Sequence, residues 1–284
     1  MKQIKHVTCN GLNDPLGIDR SQVCFSWRIE ADQQNIYQKR FRILVWQEEG
    51  GLVWDSGFRE TDRCLYIPFQ GEALREKSLY FYQITVVDNR GDVLVSPRQS
   101  FETGLEPGSF QGKWIGRQIP ADKEPGPDQE ADLGQILVDM MQGKEVSFTP
   151  DRKLEPCNRF ERTVFLENRR GLRRARIYMT ARGIYELRVN GRTPDDSLFA
   201  PGFTKYDEDL EYQVYDVTWL LYGGENTISV VLADGWYKGK FGILGLGENY
   251  GDELSFLMDL ELVYEDGSRK VIGSDETFRY ATSP

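Results

Sequence analysis

Histidine is almost missing from this sequence: His6 is the only one among 284 residues. A Ser-His-Asp or Cys-His nucleophile, an H-E-x-x-H zinc site and a two-histidine iron triad all need imidazoles that the sequence does not hold. Cysteine is scarce too. Cys9, Cys24, Cys64 and Cys157 contain no C-x-x-C pair, so their spacing writes neither a zinc knuckle nor a thioredoxin-type redox pair, and buried free thiols are expected. No apolar run approaches the roughly 20 residues that span a bilayer. Positive charge is in deficit, with 35 Lys and Arg against 45 Asp and Glu and a net charge of −10. Such a surface repels the phosphates that dominate nucleic-acid affinity, so neither nucleic acid nor a membrane is expected as a partner. No apolar segment follows Lys2 and Lys5 as a secretory leader would require, and a cytoplasmic location is expected.

What remains is strand pattern. Phe25-Ser-Trp-Arg-Ile29, Arg40-Phe-Arg-Ile-Leu-Val-Trp46 and Tyr80-Phe-Tyr-Gln-Ile-Thr-Val86 alternate with the two-residue period of a half-buried sheet. Tyr80, Tyr82, Ile84 and Val86 share one face, and Leu74 precedes Tyr80 by six residues, the spacing of the tyrosine corner in immunoglobulin-like sandwiches. Residues 1–104 are therefore predicted to form a fibronectin-III/immunoglobulin-like sandwich. Gly104-Leu-Glu-Pro-Gly-Ser109 punctuates the chain, and 105–116 are assigned to a linker and a first strand. From Arg159 onward the strand pattern returns, at 160–166, 174–180, 184–189, 212–215, 227–232 and 254–264. The prediction for 117–284 is a larger jelly-roll, galactose-binding-like β-sandwich, which makes the whole chain all-β. An acidic stretch rich in Pro, Gly and Gln at 120–156 is predicted to be a mobile insertion. Asn190-Gly191 and Asp266-Gly267 are read as type I′ hairpin turns. Asp216-Val-Thr-Trp-Leu-Leu-Tyr222 is read as one short helical turn with Asp216 as its N-cap.

Gly242, Gly245, Gly247 and Gly251 do not have G-x-G-x-x-G spacing and lack a strand–turn–helix context, so a flexible Gly-rich loop is expected rather than a nucleotide site. The pairs Asp195/Asp196, Asp207/Asp209 and Asp252/Glu253 are read as solvated loop charges. Adjacent residues of a strand point to opposite faces, which does not suit the paired carboxylates of a glycosidase. No catalytic residue is assigned. Trp236 and Tyr237 beside Asp234 have the chemistry of a sugar subsite, in which aromatic faces stack on the ring and a carboxylate orients hydroxyls.

Together these segments resemble the amino-terminal region of bacterial α-L-rhamnosidases of glycoside hydrolase family 78. In the first half the resemblance rests on Asn13-Asp-Pro-Leu-Gly-Ile-Asp19, Phe25-Ser-Trp27, Val53-Trp-Asp-Ser-Gly57, Phe101-Glu-Thr-Gly104 and Lys113-Trp-Ile-Gly116. In the second half it rests on Tyr185-Glu-Leu-Arg-Val-Asn-Gly191, Ala200-Pro-Gly-Phe-Thr204, Tyr212-Gln-Val-Tyr-Asp-Val217, Gly224-Glu-Asn226 and Asp234-Gly-Trp-Tyr-Lys-Gly239. The resemblance implies a catalytic (α/α)6 barrel downstream, carrying the acid and base of an inverting hydrolase. No residue here matches that part, so this chain is expected to be a catalytically silent accessory region whose partner is the missing barrel. The alternatives are a free-standing carbohydrate-binding or adhesive module and a purely structural or homodimer-forming domain pair. The resemblance also implies a site for rhamnose-containing glycans where the Asn190-Gly191 turn meets the 234–237 loop. Its candidates are Asn190, Asp234, Trp236, Tyr237 and Asn249. No cofactor is demanded; calcium, which takes about six to eight oxygens, is the one metal considered, at Asp234 and Asn190.

Overall fold

The computed structural model describes residues 2–48, 50–117, 138–144, 156–240 and 247–282. They form two units, Met1–Ser109 and Phe110–Pro284. The first runs five residues past the predicted boundary at 104, because the Glu76 carboxylate accepts the Glu106 N–H at 3.1 Å and the Ser109 hydroxyl at 3.3 Å. The rest of the predicted linker, with its strand, belongs to the second unit. Of the predicted insertion, only 138–144 and Pro156 are described. The former opens with one helical turn, 138–141, closed by Gln142 N–H on the Val138 carbonyl at 3.0 Å. No helix among the described residues is long and apolar enough to cross a membrane.

In the first unit β1 (Lys2–Cys9), β2 (Cys24–Ala31) and β6 (Ile67–Pro68) make one sheet. The other has the order β4 (Leu52–Asp55), β3 (Gln38–Gln47), β7 (Leu79–Asp88), β8 (Val93–Val95). Here β5 (Arg59–Glu60) pairs with β3 and β9 (Gln99–Glu102) with β7. The pairings between these named strands are all antiparallel, and one isolated parallel bridge joins Ile18 to Thr103. Alternation puts Phe25 and Trp27 of β2 in one core with Phe41, Ile43 and Val45 of β3 and Tyr80, Tyr82, Ile84 and Val86 of β7. The tyrosine corner is present: Tyr80 Oη accepts the Arg75 N–H at 2.8 Å, and its ring stacks on Phe101 at 5.2 Å. This core also holds a polar bridge. Trp27 Nε1 donates to Gln38 Oε1 at 2.9 Å, and Gln38 Nε2 donates to the carbonyls of Thr61 and Arg63 at 3.0 and 2.9 Å. All four cysteines are free, but only Cys9 is buried, where desolvation pushes its thiol up; the others are half-buried, short of the expected burial.

Several carboxylates tie down chain reversals in both units. Ser21 holds Asp19, Arg42 holds Asp55, Ser268 holds Asp266 and Thr277 holds Asp275, each below the usual carboxylate range. Burial pushes Asp88 up, but the Lys2 ammonium and the N–H groups of Asp92 and Arg90 outweigh it, and Asp88 is also held low. A carboxyl depressed on folding adds stability that is full above its unfolded pKa of about 3.9 and is lost as pH falls through the folded value. The denaturation midpoint is therefore expected to be level from neutral pH down to about 5 and to drop below about 4. Urea titrations at stepped pH check this, and a midpoint that rises on acidification contradicts it.

In the second unit β10 (Ile115–Gly116), β16 (Ser255–Tyr264), β12 (Leu172–Arg182) and β14 (Gln213–Asp216) lie in that order, with β17 (Arg269–Gly273) on β16. The facing sheet has the order β13 (Ile184–Val189), β15 (Gly224–Ala233), β11 (Asn158–Leu166), β18 (Arg279–Thr282). Ile177 and Met179 of β12 and Phe256, Met258 and Leu260 of β16 share one core with Phe160 of β11 and Ile228, Val230 and Leu232 of β15. A four-residue helix, α1 (Gly235–Lys238), follows β15.

Two predicted turns differ from expectation. Asn190 and Gly191 have φ of 52° and 76°, as type I′ requires, but at Asp266-Gly267 only the glycine is left-handed, with φ 83°. The Asp266 carboxylate bonds forward to the Ser268 N–H at 2.9 Å, which holds Asp266 on the ordinary side of φ. Residues 216–222 form a turn rather than a helix. Asp216 Oδ1 accepts the Thr218 N–H at 2.9 Å, and the Leu220 N–H reaches the Val217 carbonyl at 3.0 Å.

Candidate functional site

Strand pairing separates the two residues expected to share a ligand. β13 and β15 run in register from Ile184↔Ala233 at one end to Val189↔Ile228 at the other. Asp234 follows Ala233, and Asn190 follows Val189. Five strand steps at about 3.3 Å each lie between those ends, far beyond what one calcium ion with contacts of about 2.5 Å bridges. The placement of a site where the Asn190 turn meets the Asp234 loop is thereby corrected. Asn190 is also fully engaged. Its Nδ2 donates to the Leu220 carbonyl at 2.8 Å and to Asn226 Oδ1 at 2.9 Å, and its Oδ1 accepts the Thr227 N–H at 2.9 Å. Asn226 Nδ2 in turn donates to the carbonyls of Tyr222 and Gly224. The two asparagines clasp the turn before β15 to the end of β13, a structural task.

The other four candidates do come together around α1. Asp234 is exposed at its N-terminus, and its side chain makes no cap hydrogen bond. Gly235 has φ 52°, and a Cβ there would lie 2.4 Å from Ile184 Cγ2, so the backbone passes too close to β13 for any side chain. Trp236 and Tyr237 then diverge. Trp236 is half-buried, with the rings of Phe199 and Phe203 each at 5.9 Å. Tyr237 is buried against Tyr206 at 5.5 Å, and Tyr206 packs on Tyr250 at 5.1 Å. Burial, with Tyr250 beside it, pushes the Tyr206 phenol up. Glu248 N–H on the Lys238 carbonyl and Tyr250 N–H on the Tyr237 carbonyl tether the segment carrying exposed Asn249 to the helix. Of the Gly-rich loop, 241–246 lie outside the described residues.

On the Tyr237 side the surface opens into a cavity of about 390 Å³. Trp114, Gly116 and Arg117 line it from the β10 segment, Arg182 from the end of β12, Asp252 and Glu253 from the approach to β16, and Ser255 from its first position. The Arg182 guanidinium lies over the Trp114 ring at 4.7 Å. Sequence reading assigned Trp114 only to the family resemblance, treated Asp252 and Glu253 as loop charges and passed over Arg182. No local spacing links positions 114, 182 and 252; only the sheet does. Among the described residues, no group of three or more His, Cys, Asp or Glu side chains is arranged to hold a metal ion.

An immunoglobulin-like sandwich with a tyrosine corner, followed by a larger two-sheet sandwich, makes the chain a tandem of two all-β units. Residues 4–106 match the Rha78A-like, N-terminal immunoglobulin domain, and residues 170–284 match the alpha-L-rhamnosidase N-terminal domain. The chain belongs to the amino-terminal region of the α-L-rhamnosidase family. An α-L-rhamnosidase of Formosa agariphila is 30% identical over 291 residues, which cover 99% of this chain and 29% of that protein. The crystal structure of the α-L-rhamnosidase of Aspergillus terreus superposes with a TM-score of 0.79 at 26% identity, over 100% of this chain and 30% of that one. The Streptomyces avermitilis α-L-rhamnosidase complexed with L-rhamnose shares the fold, with a TM-score of 0.83 at 20% identity, over 100% of this chain and 41% of that one. The chain thus spans well under half the length of these relatives.

Proposed function

We propose that this chain is the non-catalytic amino-terminal part of an α-L-rhamnosidase that removes terminal α-L-rhamnosyl groups from glycosides. The observation that carries this is the ordered match of both amino-terminal domains to relatives of which the chain covers only 29–30%. The hydrolytic carboxylates belong to the remainder, one protonating the leaving oxygen and one activating water if the reaction inverts. The full-length protein is expected to cleave an aryl α-L-rhamnoside and residues 1–284 to be silent. Turnover by residues 1–284 that a substitution of one of their own Asp or Glu residues abolishes overturns the reading.

The loop before β14 supports a packing role beside this. Leu198, Phe199 and Phe203 are 80%, 61% and 54% exposed, next to Trp236. Contiguous apolar surface of this kind marks an interaction site, and the partner that fits the reading is the catalytic remainder of the same polypeptide. Residues 1–284 are then expected to sediment as a monomer; a dimer that Phe199→Ser disperses would assign the patch to a second copy instead.

A further inference from the structure

We propose that Asn10 is a site of spontaneous covalent modification, in which its side chain loses ammonia and becomes aspartate or isoaspartate, and that the same dipeptide at Asn190 is shielded from this reaction. The sequence holds two Asn-Gly pairs, Asn10-Gly11 and Asn190-Gly191. The fold gives both the same geometry. φ is 51° and 79° at Asn10 and Gly11, and 52° and 76° at Asn190 and Gly191. Each turn is closed by a two-way backbone exchange, Cys9 with Leu12 at 3.0 and 2.9 Å and Val189 with Arg192 at 2.9 and 3.1 Å. Each asparagine N–H reaches a neighbouring carbonyl at 2.8 Å, that of Cys24 for Asn10 and of Thr227 for Asn190. Each Oδ1 accepts the N–H of that same neighbour, at 2.8 and 2.9 Å. A Cβ at either glycine would meet nothing within 4 Å.

The two turns differ at the side-chain nitrogen. Asn190 Nδ2 donates to the Leu220 carbonyl at 2.8 Å and to Oδ1 of the buried Asn226 at 2.9 Å. Asn10 is half-buried, and its Nδ2 donates to no other described residue. That nitrogen is the leaving group. The Gly11 nitrogen gives its proton to a solvent base and attacks Asn10 Cγ; the N–C bond forms, the Cγ–Nδ2 bond breaks, and Nδ2 takes up a proton and departs as ammonia. Water then opens the cyclic imide at one carbonyl or the other, giving aspartate or isoaspartate. Glycine favours the attack because no Cβ shields its nitrogen. The carboxamide must also turn off its partners to present Cγ to that nitrogen. Asn10 gives up one side-chain hydrogen bond and Asn190 three, so the two extra bonds slow Asn190 by about 10- to 100-fold. An isoaspartyl link adds a backbone carbon to the turn, which strains the Cys9–Leu12 exchange and the pairing with Cys24 at the start of β2.

Ageing the folded protein at mildly alkaline pH, with digestion and peptide mapping by mass spectrometry, tests this. The Asn10 peptide is expected to gain the mass of an amide-to-acid exchange and to split into two chromatographic products, while the Asn190 peptide lags by about tenfold or more. Ageing in urea is expected to erase most of that ratio, because the unfolded chain offers both dipeptides without their turns. Asn226→Ala removes one acceptor of Asn190 Nδ2 and is expected to speed conversion at Asn190 while leaving Asn10 unchanged. The comparison with urea stands whether or not that variant folds. Equal rates in the folded protein, faster conversion at Asn190, a ratio that persists unchanged in urea, or an Asn190 that folded Asn226→Ala does not speed overturns the proposal. So does an Asn10 that stays intact while the unfolded chain converts.

Discussion

Trp27→Ala is expected to lower the stability of the first unit by about 3–5 kcal/mol, a large part of what a domain of this size has. Trp27 is 1% exposed and meets Phe41 edge-on at 5.1 Å, so truncation opens a void in a core that has little freedom to close. It also removes the donor to Gln38 Oε1, while Gln38 Nε2 stays committed to the carbonyls of Thr61 and Arg63. Trp27→Phe separates the two effects. It keeps most of the apolar contact but leaves the buried amide oxygen unsatisfied, at a cost of about 1–3 kcal/mol. Urea unfolding of both variants reads the difference. Equal losses would mean that the amide bridge carries the whole effect, and a Trp27→Phe variant as stable as the parent would mean that the bridge carries none.

The sandwich around Trp27 was legible because one face of each strand is buried. Tyr80, Tyr82, Ile84 and Val86 alternate with half-buried neighbours, and the Leu74-to-Tyr80 spacing marked a corner that the Tyr80 hydroxyl closes on the Arg75 N–H. In the second sandwich that logic fails on β12 and β16, which are buried along both faces. There Arg174, Arg176, Asp259 and Glu261 take positions that a hydrophobic count assigns to solvent. Arg176 and Asp259 have partners distant in sequence: Arg176 Nη1 meets Asp216 Oδ1 at 2.8 Å, and the Asp259 carboxylate accepts the N–H groups of Gln111 and Gly112. The candidate site was half legible for the same reason. The 234–237 motif is local and led to α1. The dipeptide Asn190-Gly191 gave the correct turn, but the side-chain duty of Asn190 depends on Asn226, which lies 36 residues away. The cavity depends on Gly116, Ser255 and Arg182 pairing across three adjacent strands, and no pattern along one strand contains it.

Asp259→Ala is the second change with a large expected effect, and it tests how the first strand of the second unit is held. Asp259 is fully buried on β16; its Oδ2 accepts the Gln111 N–H at 2.9 Å and its Oδ1 the Gly112 N–H at 2.8 Å. The chain there is threaded tightly. A Cβ on Gly112 would lie 2.5 Å from the Met258 carbonyl oxygen and 2.7 Å from the Ser274 nitrogen, and Lys113 N–H bonds the Ser274 carbonyl at 2.7 Å. Removing the carboxylate leaves two backbone donors without their acceptor, at about 1–3 kcal/mol each, so a loss of about 2–6 kcal/mol from the second unit is expected. Asp259→Asn keeps one acceptor oxygen but turns an NH₂ toward the other N–H, and an intermediate loss is expected. β10 pairs with β16 at only two rungs, Ile115↔Phe256 and Gly116↔Ser255, so the anchor at 111–113 is what holds this short strand to the sheet. Urea midpoints of the parent and the two variants check the order of losses, and an Asp259→Ala midpoint equal to the parent's would show that the chain at 111–113 is held without this carboxylate.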